Sequence, residues 1–228
     1  MSAGALQADA TSGPRLRRSR SVLEAAQPKI YLASRSPRRR ELLDQVGIDY
    51  DVLTCREDVR RGADVDETPL AQEPARDYVL RLACAKAQSA WQRVGERKLA
   101  RYPVLAADTT VVLGKRIIGK PADREQAMQI LRQLSGRRHQ VLSAVAVCRA
   151  QALATALSAS TVEFKVLTEA EIRDYCATAE PLDKAGAYAA QGRAAAFIRK
   201  LSGSYSGVVG LPLYETVQLL REFGIGAA

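Results

Sequence analysis

The stretch SRSPRRRELLDQVG, residues 34–47, concentrates arginine at the start of a predicted helix. Ser36 is suited to cap this helix, Pro37 to its first turn and Gly47 to its end. A helix N-terminus carries partial positive charge and unpaired N–H groups, so it favours an anion. Phosphate fits best, because arginine donates paired hydrogen bonds to its oxygens. Alternatively, the arginine side chains are solvated or paired with acidic neighbours. The four arginines are Arg35, Arg38, Arg39 and Arg40.

Two further charged side chains lie where apolar ones are expected. Lys86 falls on the apolar stripe of a helix predicted over residues 74–94. Its amine either extends to solvent or meets a buried or cleft-bound anion. Asp108 interrupts the apolar run VLAADTTVVL, and we expect it at the end of a buried strand. Such a carboxylate must be paired, hydrogen-bonded or bound to a metal, unless it only caps a turn with Thr109 and Thr110.

These residues must be positioned by short strands that alternate with helices. The strand patterns are KIYLA, YDVL, PVLAADTTVVLGKRIIGKP, HQVLSAVAVC and STVEFKVL, the third folding back through Gly114 and Lys115. Helix patterns with capping residues follow at DREQAMQILRQLSG and TEAEIRDYCAT, and a last helix ends at Gly224. The alternation predicts a mixed α/β domain without internal repeats. The glycine-rich segment SGSYSGVVGLP is predicted to form loops close to a ligand.

Composition limits the class of protein. The formal net charge of +9 indicates an anionic partner without specifying its kind. No apolar run is long enough to cross a membrane, and the four cysteines are widely separated, which predicts a soluble cytoplasmic protein without structural zinc. Residues 1–28 lack apolar periodicity and are predicted to be a disordered basic tail, with one folded domain over residues 29–228.

Six blocks, in the same order, resemble the Maf family of nucleoside triphosphate pyrophosphatases. They are YLASRSPRRRELL, YVLRLACAKA, VLAADTTVVLGKRIIGKP, LSGRRHQVLSAVAV, EPLDKAGAYAAQG and GSYSGVVGLPLYET. The resemblance implies a mixed α/β Maf/ITPase-like fold, in which two lobes surround an extended central sheet with a nucleotide cleft between them. It also implies hydrolysis of a nucleoside triphosphate to the monophosphate and pyrophosphate with a divalent metal. The family is commonly dimeric, so a homodimer is expected.

The resemblance suggests roles for individual residues. Asp108 is the expected general base, with metal binding as a second role, and Lys86 and Lys120 supply positive charge. Ser34, Arg38 and Arg39 are expected to hold phosphate oxygens. Within the family, the group that acts on dTTP and UTP is marked by residues matching Arg38, Thr109 and Gln191. Thr109 and Gln191 are therefore expected to read a pyrimidine base, which extends the expected substrates to modified pyrimidine triphosphates.

The expected cofactor is Mg²⁺ or Mn²⁺, which suits carboxylate, phosphate and water ligands. The family usually has an acidic residue just after the second strand, but CREDVRRGAD aligns in more than one register, so Glu57 and Asp58 both remain candidates. The competing hypothesis is a nucleic-acid-binding protein or a regulator of septum formation. The sequence carries no recognised nucleic-acid-binding signature, so we expect a nucleoside triphosphate as partner and neither a specific nucleic acid nor a membrane.

Overall fold

The computed structural model describes Met1 and residues 29–53 and 65–226, so Glu57, Asp58 and all of the predicted tail except Met1 lie outside the described residues. Within them, no helix is both long and apolar enough to span a bilayer. The strands are β1 Ile30–Leu32, β2 Tyr50–Val52, β3 Val104–Leu113, β4 Arg116–Ile118, β5 Arg138–Arg149, β6 Ala152–Phe164 and β7 Ile198–Ser202. The α-helices are α1 Pro37–Gln45, α2 Ala75–Glu96, α3 Arg124–Leu134, α4 Glu169–Cys176, α5 Tyr205–Val209 and α6 Leu213–Glu222.

The strands of the described residues form one mixed sheet. Its order is β2-β1-β3-β5-β6-β7, and β4 pairs with the end of β3. β1 is parallel to β2 and β3, whereas the other pairs are antiparallel. The predicted α/β class with an extended central sheet is confirmed, as is the hairpin that joins β3 to β4.

The helix boundaries follow the predicted signals. Pro37 begins α1, and Gly47, with φ of +66°, lies in the left-handed region where the chain leaves this helix. Ser36 is the N-cap residue, although its hydroxyl makes no capping hydrogen bond. In α4, Thr168 and Glu171 form the predicted reciprocal capping box. Local sequence thus fixes where these helices start and stop.

Both faces of β3 are covered. α2 packs on one face, where Ala83 and Ala87 lie in the same apolar cluster as Val104 and Ala106. The opposite face contributes to two clusters. Residues from α1 and α6 surround Leu105 and Ala107, and a separate cluster from α3, α4 and the chain after α4 surrounds Val111 and Phe164. The long strand β3 therefore joins the apolar clusters and carries Asp108 between them.

The glycine-rich segment contains more regular structure than predicted. The chain that leads into it forms 3₁₀ turns at Ala185–Ala187 and Arg193–Phe197 and then β7, and the segment itself forms the short helix α5. β7 forms because it extends the sheet: Leu201 pairs with Val162 of β6, and Ile198 and Leu201 pack against the cluster around Phe164. Pairing with a distant strand supplies the order that local sequence does not indicate.

Candidate active site

Asp108 lies in the middle of β3, opposite Ala144 of β5, so its predicted position at the end of a buried strand was wrong. The strand continues because Thr109 and Thr110 adopt extended backbone as β-branched residues do. Side chains alternate along a strand, so Asp108 faces α2 and Thr109 faces the opposite side. Asp108 is 8% exposed, which means that its carboxylate requires partners.

Lys86 of α2 supplies the partner of Asp108. Its Nζ donates a hydrogen bond of 2.7 Å to Asp108 Oδ1 and lies 2.6 Å from Glu67 Oε1. Of the two predicted alternatives for this lysine, contact with a buried anion is confirmed. Although burial opposes the effect, the carboxylates of Asp108 and Glu67 raise the pKa of Lys86. The ammonium therefore stays charged between two acids.

Glu67 is a member of this cluster that the sequence did not reveal. Its side chain is half-exposed, and although partial desolvation opposes the effect, the charges of Lys86, Lys120 and Arg39 lower its pKa. Its backbone carbonyl accepts a hydrogen bond of 3.0 Å from the Tyr78 hydroxyl on α2. The one sequence feature that could have indicated Glu67 is its position shortly before Pro74, within reach of the start of α2.

Residues 66–73 are attached to α2 through Arg81. Its guanidinium contacts Glu73 at 2.6 Å and donates to the carbonyls of Asp66 and Thr68. The Arg81 hydrogen bond lowers the pKa of Glu73 to about 2. These contacts fix the backbone on both sides of Glu67, so the segment delivers its carboxylate to Lys86.

Arg39 connects α1 to β3 and to the turn after α5. Its Nη1 donates to Ala107 O at 2.7 Å and to Ser34 Oγ at 3.3 Å, and its Nε donates to Gly210 O at 2.8 Å. Its Nη2 lies 3.5 Å from Thr109 Oγ1. Most of its N–H donors are thus satisfied by the protein. Although burial lowers the pKa of Arg39, the Asp108 charge favours its cationic form.

Ser34 and Arg38 offer polar groups near the same helix start. The Ser34 hydroxyl accepts hydrogen bonds from Ser36 N and from Arg39, and its own proton has no acceptor among the described residues. A hydroxyl has one proton to donate, so this proton is available to an outside acceptor. Arg38 lies 3.6 Å from Asp183 Oδ2 in a partly exposed ion pair. Both side chains can therefore donate to a bound anion.

Thr109 belongs to a hydrogen-bonded network on the other side of β3. Its Oγ1 lies 2.9 Å from Ser143 Oγ, which in turn donates to Gly207 O at 2.6 Å. Gly210 O also lies 3.4 Å from Thr109 Oγ1. The hydroxyl of Thr109 thus links the sheet to α5, close to the Arg39 guanidinium.

The segment of residues 183–192 lies against both the β3–β4 hairpin and α1. Gly186 N donates to Gly119 O at 3.1 Å, next to the exposed Lys120, and Asp183 contacts Arg38. Gly186 has φ of +73°, and a Cβ there would lie 2.7 Å from the Val111 side chain. Close packing therefore requires glycine at this point. Gln191 lies exposed in a turn of the same segment.

Contacts thus link several of the predicted residues in the described structure. Lys86 and Asp108 are in direct contact, Arg39 links Ser34 to the strand that carries Asp108, and the Arg38–Asp183 contact brings in the segment that bears Gln191. Glu57 and Asp58 stay predictions outside the described residues. Charge of both signs surrounds Asp108, an arrangement suited to activating water next to a polyanion.

Comparison with known proteins identifies one family, and the similar relatives share one name. A sequence profile of the family described as "Maf-like protein" matches residues 29–223. The chain is 57% identical over 197 residues to "dTTP/UTP pyrophosphatase" of Nitrosospira multiformis, covering 86% of this chain and 95% of that protein. It is 55% identical over 196 residues to the protein of that name from Nitrosomonas europaea, again covering 86% and 95%. The Staphylococcus aureus Ham1 protein is a weaker structural match, with a TM-score of 0.45 and 15% identity over 86% of this chain and 97% of that chain.

Proposed function

The chain belongs to the Maf family, and from this premise we propose that it hydrolyses dTTP and UTP to the nucleoside monophosphate and pyrophosphate. The observation that carries the proposal is the position of Lys86 between Asp108 and Glu67. Arg39 connects this cluster to the N-terminal turn of α1, because it donates to the carbonyl just before Asp108. Acids that can activate water thus lie beside cations and N–H groups that can hold phosphates.

Asp108 acts as the general base on the attacking water. Lys86 donates to its Oδ1, which leaves Oδ2 to accept the proton of the water. The water oxygen attacks the α-phosphorus, the bond from that phosphorus to the bridging oxygen breaks, and pyrophosphate leaves with the bonding pair. The raised pKa of Lys86 keeps a positive charge beside the base.

Ser34, Arg38 and Lys120 hold the phosphate oxygens. The Ser34 proton, which has no acceptor among the described residues, is available to a phosphate, and Arg38 can exchange its long contact with Asp183 for a phosphate. Lys120 is exposed and lies near enough to Glu67 to lower its pKa. Arg39 contributes mainly by fixing Ser34 and the β3 backbone, since most of its donors are already used.

Glu67 would hold Mg²⁺ or Mn²⁺, with Asp108 in its second role as a metal ligand. Lys86 contacts one oxygen of each carboxylate, so the ion would bind beside the ammonium, and carboxylates completed by phosphate and water oxygens match the ligand preference of Mg²⁺. Within residues 29–53 and 65–226 no group of three or more side chains suited to a metal occurs, so substrate and water would complete the shell. When bound, the ion neutralises charge on the phosphate oxygens.

Gln191 and Thr109 determine the preference for pyrimidines. A glutamine amide can donate and accept at once, which complements a uracil or thymine edge, and the Gln191 side chain is exposed. The Thr109 hydroxyl bonds Ser143 and lies near Gly210 O, so it acts by fixing the turn after α5 against the sheet. Modified pyrimidine triphosphates that keep this edge are further expected substrates.

We also propose that the protein is cytoplasmic and forms a homodimer. Cys84, Cys148 and Cys176 are free thiols, as in proteins of a reducing compartment. The homodimer is an expectation from the family alone, and sedimentation of the purified protein tests it. We expect no nucleic-acid partner, and a salt-sensitive mobility shift of DNA or RNA would contradict this expectation.

Turnover of a nucleotide panel tests the reaction. Purified protein is incubated with dTTP, UTP, dCTP, ATP and GTP, with Mg²⁺, with Mn²⁺ or with a chelator, and pyrophosphate is measured. We expect metal-dependent release of pyrophosphate with dTTP and UTP preferred. In isotopically labelled water, attack at the α-phosphorus places the label in the monophosphate. Release of orthophosphate, or label in pyrophosphate, would contradict the proposed reaction.

A pair of lysine variants tests the phosphate site. Lys120→Met should lower kcat/KM for dTTP by about 100-fold, because it removes a cation from the departing pyrophosphate. Lys115→Met is the matched control, since Lys115 is exposed at the turn of the same hairpin. Equal activities of the two variants would refute the role of Lys120.

A further inference from the structure

The turn formed by residues 189–192 is held at both ends by side chains from elsewhere in the fold. Gly192 N donates to Ala189 O at 3.1 Å, which closes the turn around Gln191. At its start, Ala189 N donates to the Tyr175 hydroxyl at 3.1 Å, and just beyond its end, Arg193 N donates to Glu180 Oε2 at 3.3 Å. The backbone on each side of Gln191 is therefore fixed by α4 and by the loop that follows it.

Tyr175 and Glu180 also bond each other. The Tyr175 hydroxyl donates to Glu180 Oε1 at 2.8 Å while it accepts from Ala189. Tyr175 is 2% exposed, and its ring packs against Phe197 with centroids 5.2 Å apart. Burial, aided by the Glu180 hydrogen bond, raises the pKa of Tyr175, so its donor proton stays in place. The two side chains form one connected support under the turn.

Gly192 allows this support to reach the turn. A Cβ at Gly192 would lie 2.4 Å from Glu180 Oε1 and 2.6 Å from Glu180 Oε2. A carboxylate at the end of a flexible chain can normally move aside, but this one is held by Tyr175 and by Arg193 N. Any side chain at residue 192 would therefore displace Glu180 and break its contacts with the turn.

We propose that Tyr175, Glu180 and Gly192 are positioning residues for base selection, because they fix the turn that presents Gln191. This inference rests on the proposed function, in which Gln191 contacts the pyrimidine. The three residues belong to α4 and the chain after it, whereas Lys86 and Asp108 belong to α2 and β3. Disturbing the support should therefore alter which base is accepted and the KM for dTTP more than kcat.

The first test uses Tyr175→Phe, which keeps the ring and removes the hydroxyl. The ratio of kcat/KM for dTTP to that for GTP should fall by about tenfold, as expected for loss of one or two hydrogen bonds, with kcat for dTTP nearly unchanged. Tyr31→Phe is the matched control, since Tyr31 is also buried but lies in β1. A proportional loss of kcat for both nucleotides, or an unchanged ratio, would overturn the inference.

The second test is a double-mutant cycle with Gly192→Ala and Glu180→Ala. In the otherwise unchanged chain, Gly192→Ala should lower the dTTP-to-GTP ratio, because its methyl group displaces the Glu180 carboxylate. In the Glu180→Ala background the same change should have little further effect. Additive effects would overturn the inference, and thermal melting of each variant reports whether it folds.

A Gln191→Ala variant separates this inference from the proposed function. If the unchanged chain released no pyrophosphate, the proposed function itself would fail. If Gln191→Ala lowered the ratio and Tyr175→Phe did not, the reaction would stand and only the inference would fail. If Gln191→Ala left the dTTP-to-GTP ratio unchanged, the inference would also be overturned, because the turn would then present no base-reading group.

Discussion

The single histidine of the chain should make its stability depend on pH. His139 is 2% exposed, its Nε2 lies 2.9 Å from the Tyr188 hydroxyl, and its ring meets those of Phe164 and Tyr188 edge to face. Its Nδ1 has no hydrogen-bond partner among the described residues. Burial lowers the pKa of His139 from 6.5 to about 4, because the charged imidazolium would be desolvated among aromatic rings.

The size of the effect follows from this shift in pKa. Between pH 6.5 and about pH 4 the unfolded chain binds a proton at His139 that the folded chain does not. The free energy of unfolding therefore decreases as the pH falls through this window, by about 1.4 kcal/mol per pH unit. From about pH 7 to about pH 5, the loss attributable to His139 is about 2 kcal/mol.

Urea unfolding followed by circular dichroism at these two pH values measures the loss. His139→Gln provides the comparison, because its amide can still bond the Tyr188 hydroxyl and does not titrate. The variant should be less stable at neutral pH, owing to the changed packing, but should lose about 2 kcal/mol less than the original chain on acidification. The same loss in both proteins would refute the reasoning, since the pH dependence would then come from other groups.

Four further changes test the site. Asp108→Asn should lower turnover of dTTP by more than about 100-fold with an unchanged circular dichroism spectrum; near-normal turnover would remove Asp108 as the base. Gln191→Glu should weaken the pyrimidine preference in the nucleotide panel, and an unchanged profile would count against base reading by this residue. Arg39→Lys should lower both the melting temperature and kcat, because lysine cannot span the partners of the guanidinium, whereas the exposed Arg40→Lys should do neither. Removal of residues 1–28 should preserve turnover, so a large loss would assign the tail a role.

Sequence patterns predicted the helices, and they placed Lys86 on the buried side of one of them, because both depend on local signals. The apolar stripe of α2 placed Lys86 on its buried side and left two alternatives, solvent or an anion, of which the structure shows the contact with Asp108. The capping residues of α4 acted as predicted because a capping box is closed within one turn. By contrast, β7 required the partner strand β6, which local sequence does not reveal.

Glu67 and the partners of Arg39 depend on tertiary contacts that no short pattern encodes. Glu67 reaches Lys86 because Arg81 of α2 donates hydrogen bonds to the backbone on both sides of Glu67. Arg81 and the residues that it contacts are not close in the sequence, so no local pattern predicts these contacts. The arginine run identified a cationic helix start but not which side chain turns inward. Consecutive helical residues point about 100° apart, so the packing angle of α1 on the sheet decides that Arg39 bonds β3 while Arg38 meets Asp183.

The alternation of side chains along β3 has a consequence for how this enzyme can change. The acid of Asp108 and the hydroxyl of Thr109 occupy opposite sides of one backbone, separated by the thickness of a sheet. A combinatorial library restricted to Thr109 and its neighbour Ser143 would remodel one side while leaving the proton acceptor and its lysine in place. Insertion of a single residue into β3 before Asp108 would instead move Asp108 and Thr109 to each other's side of the sheet, so that both side chains would lose their partners. New nucleotide preferences should therefore be accessible by substitution on that side of the sheet but not by changes in the length of β3.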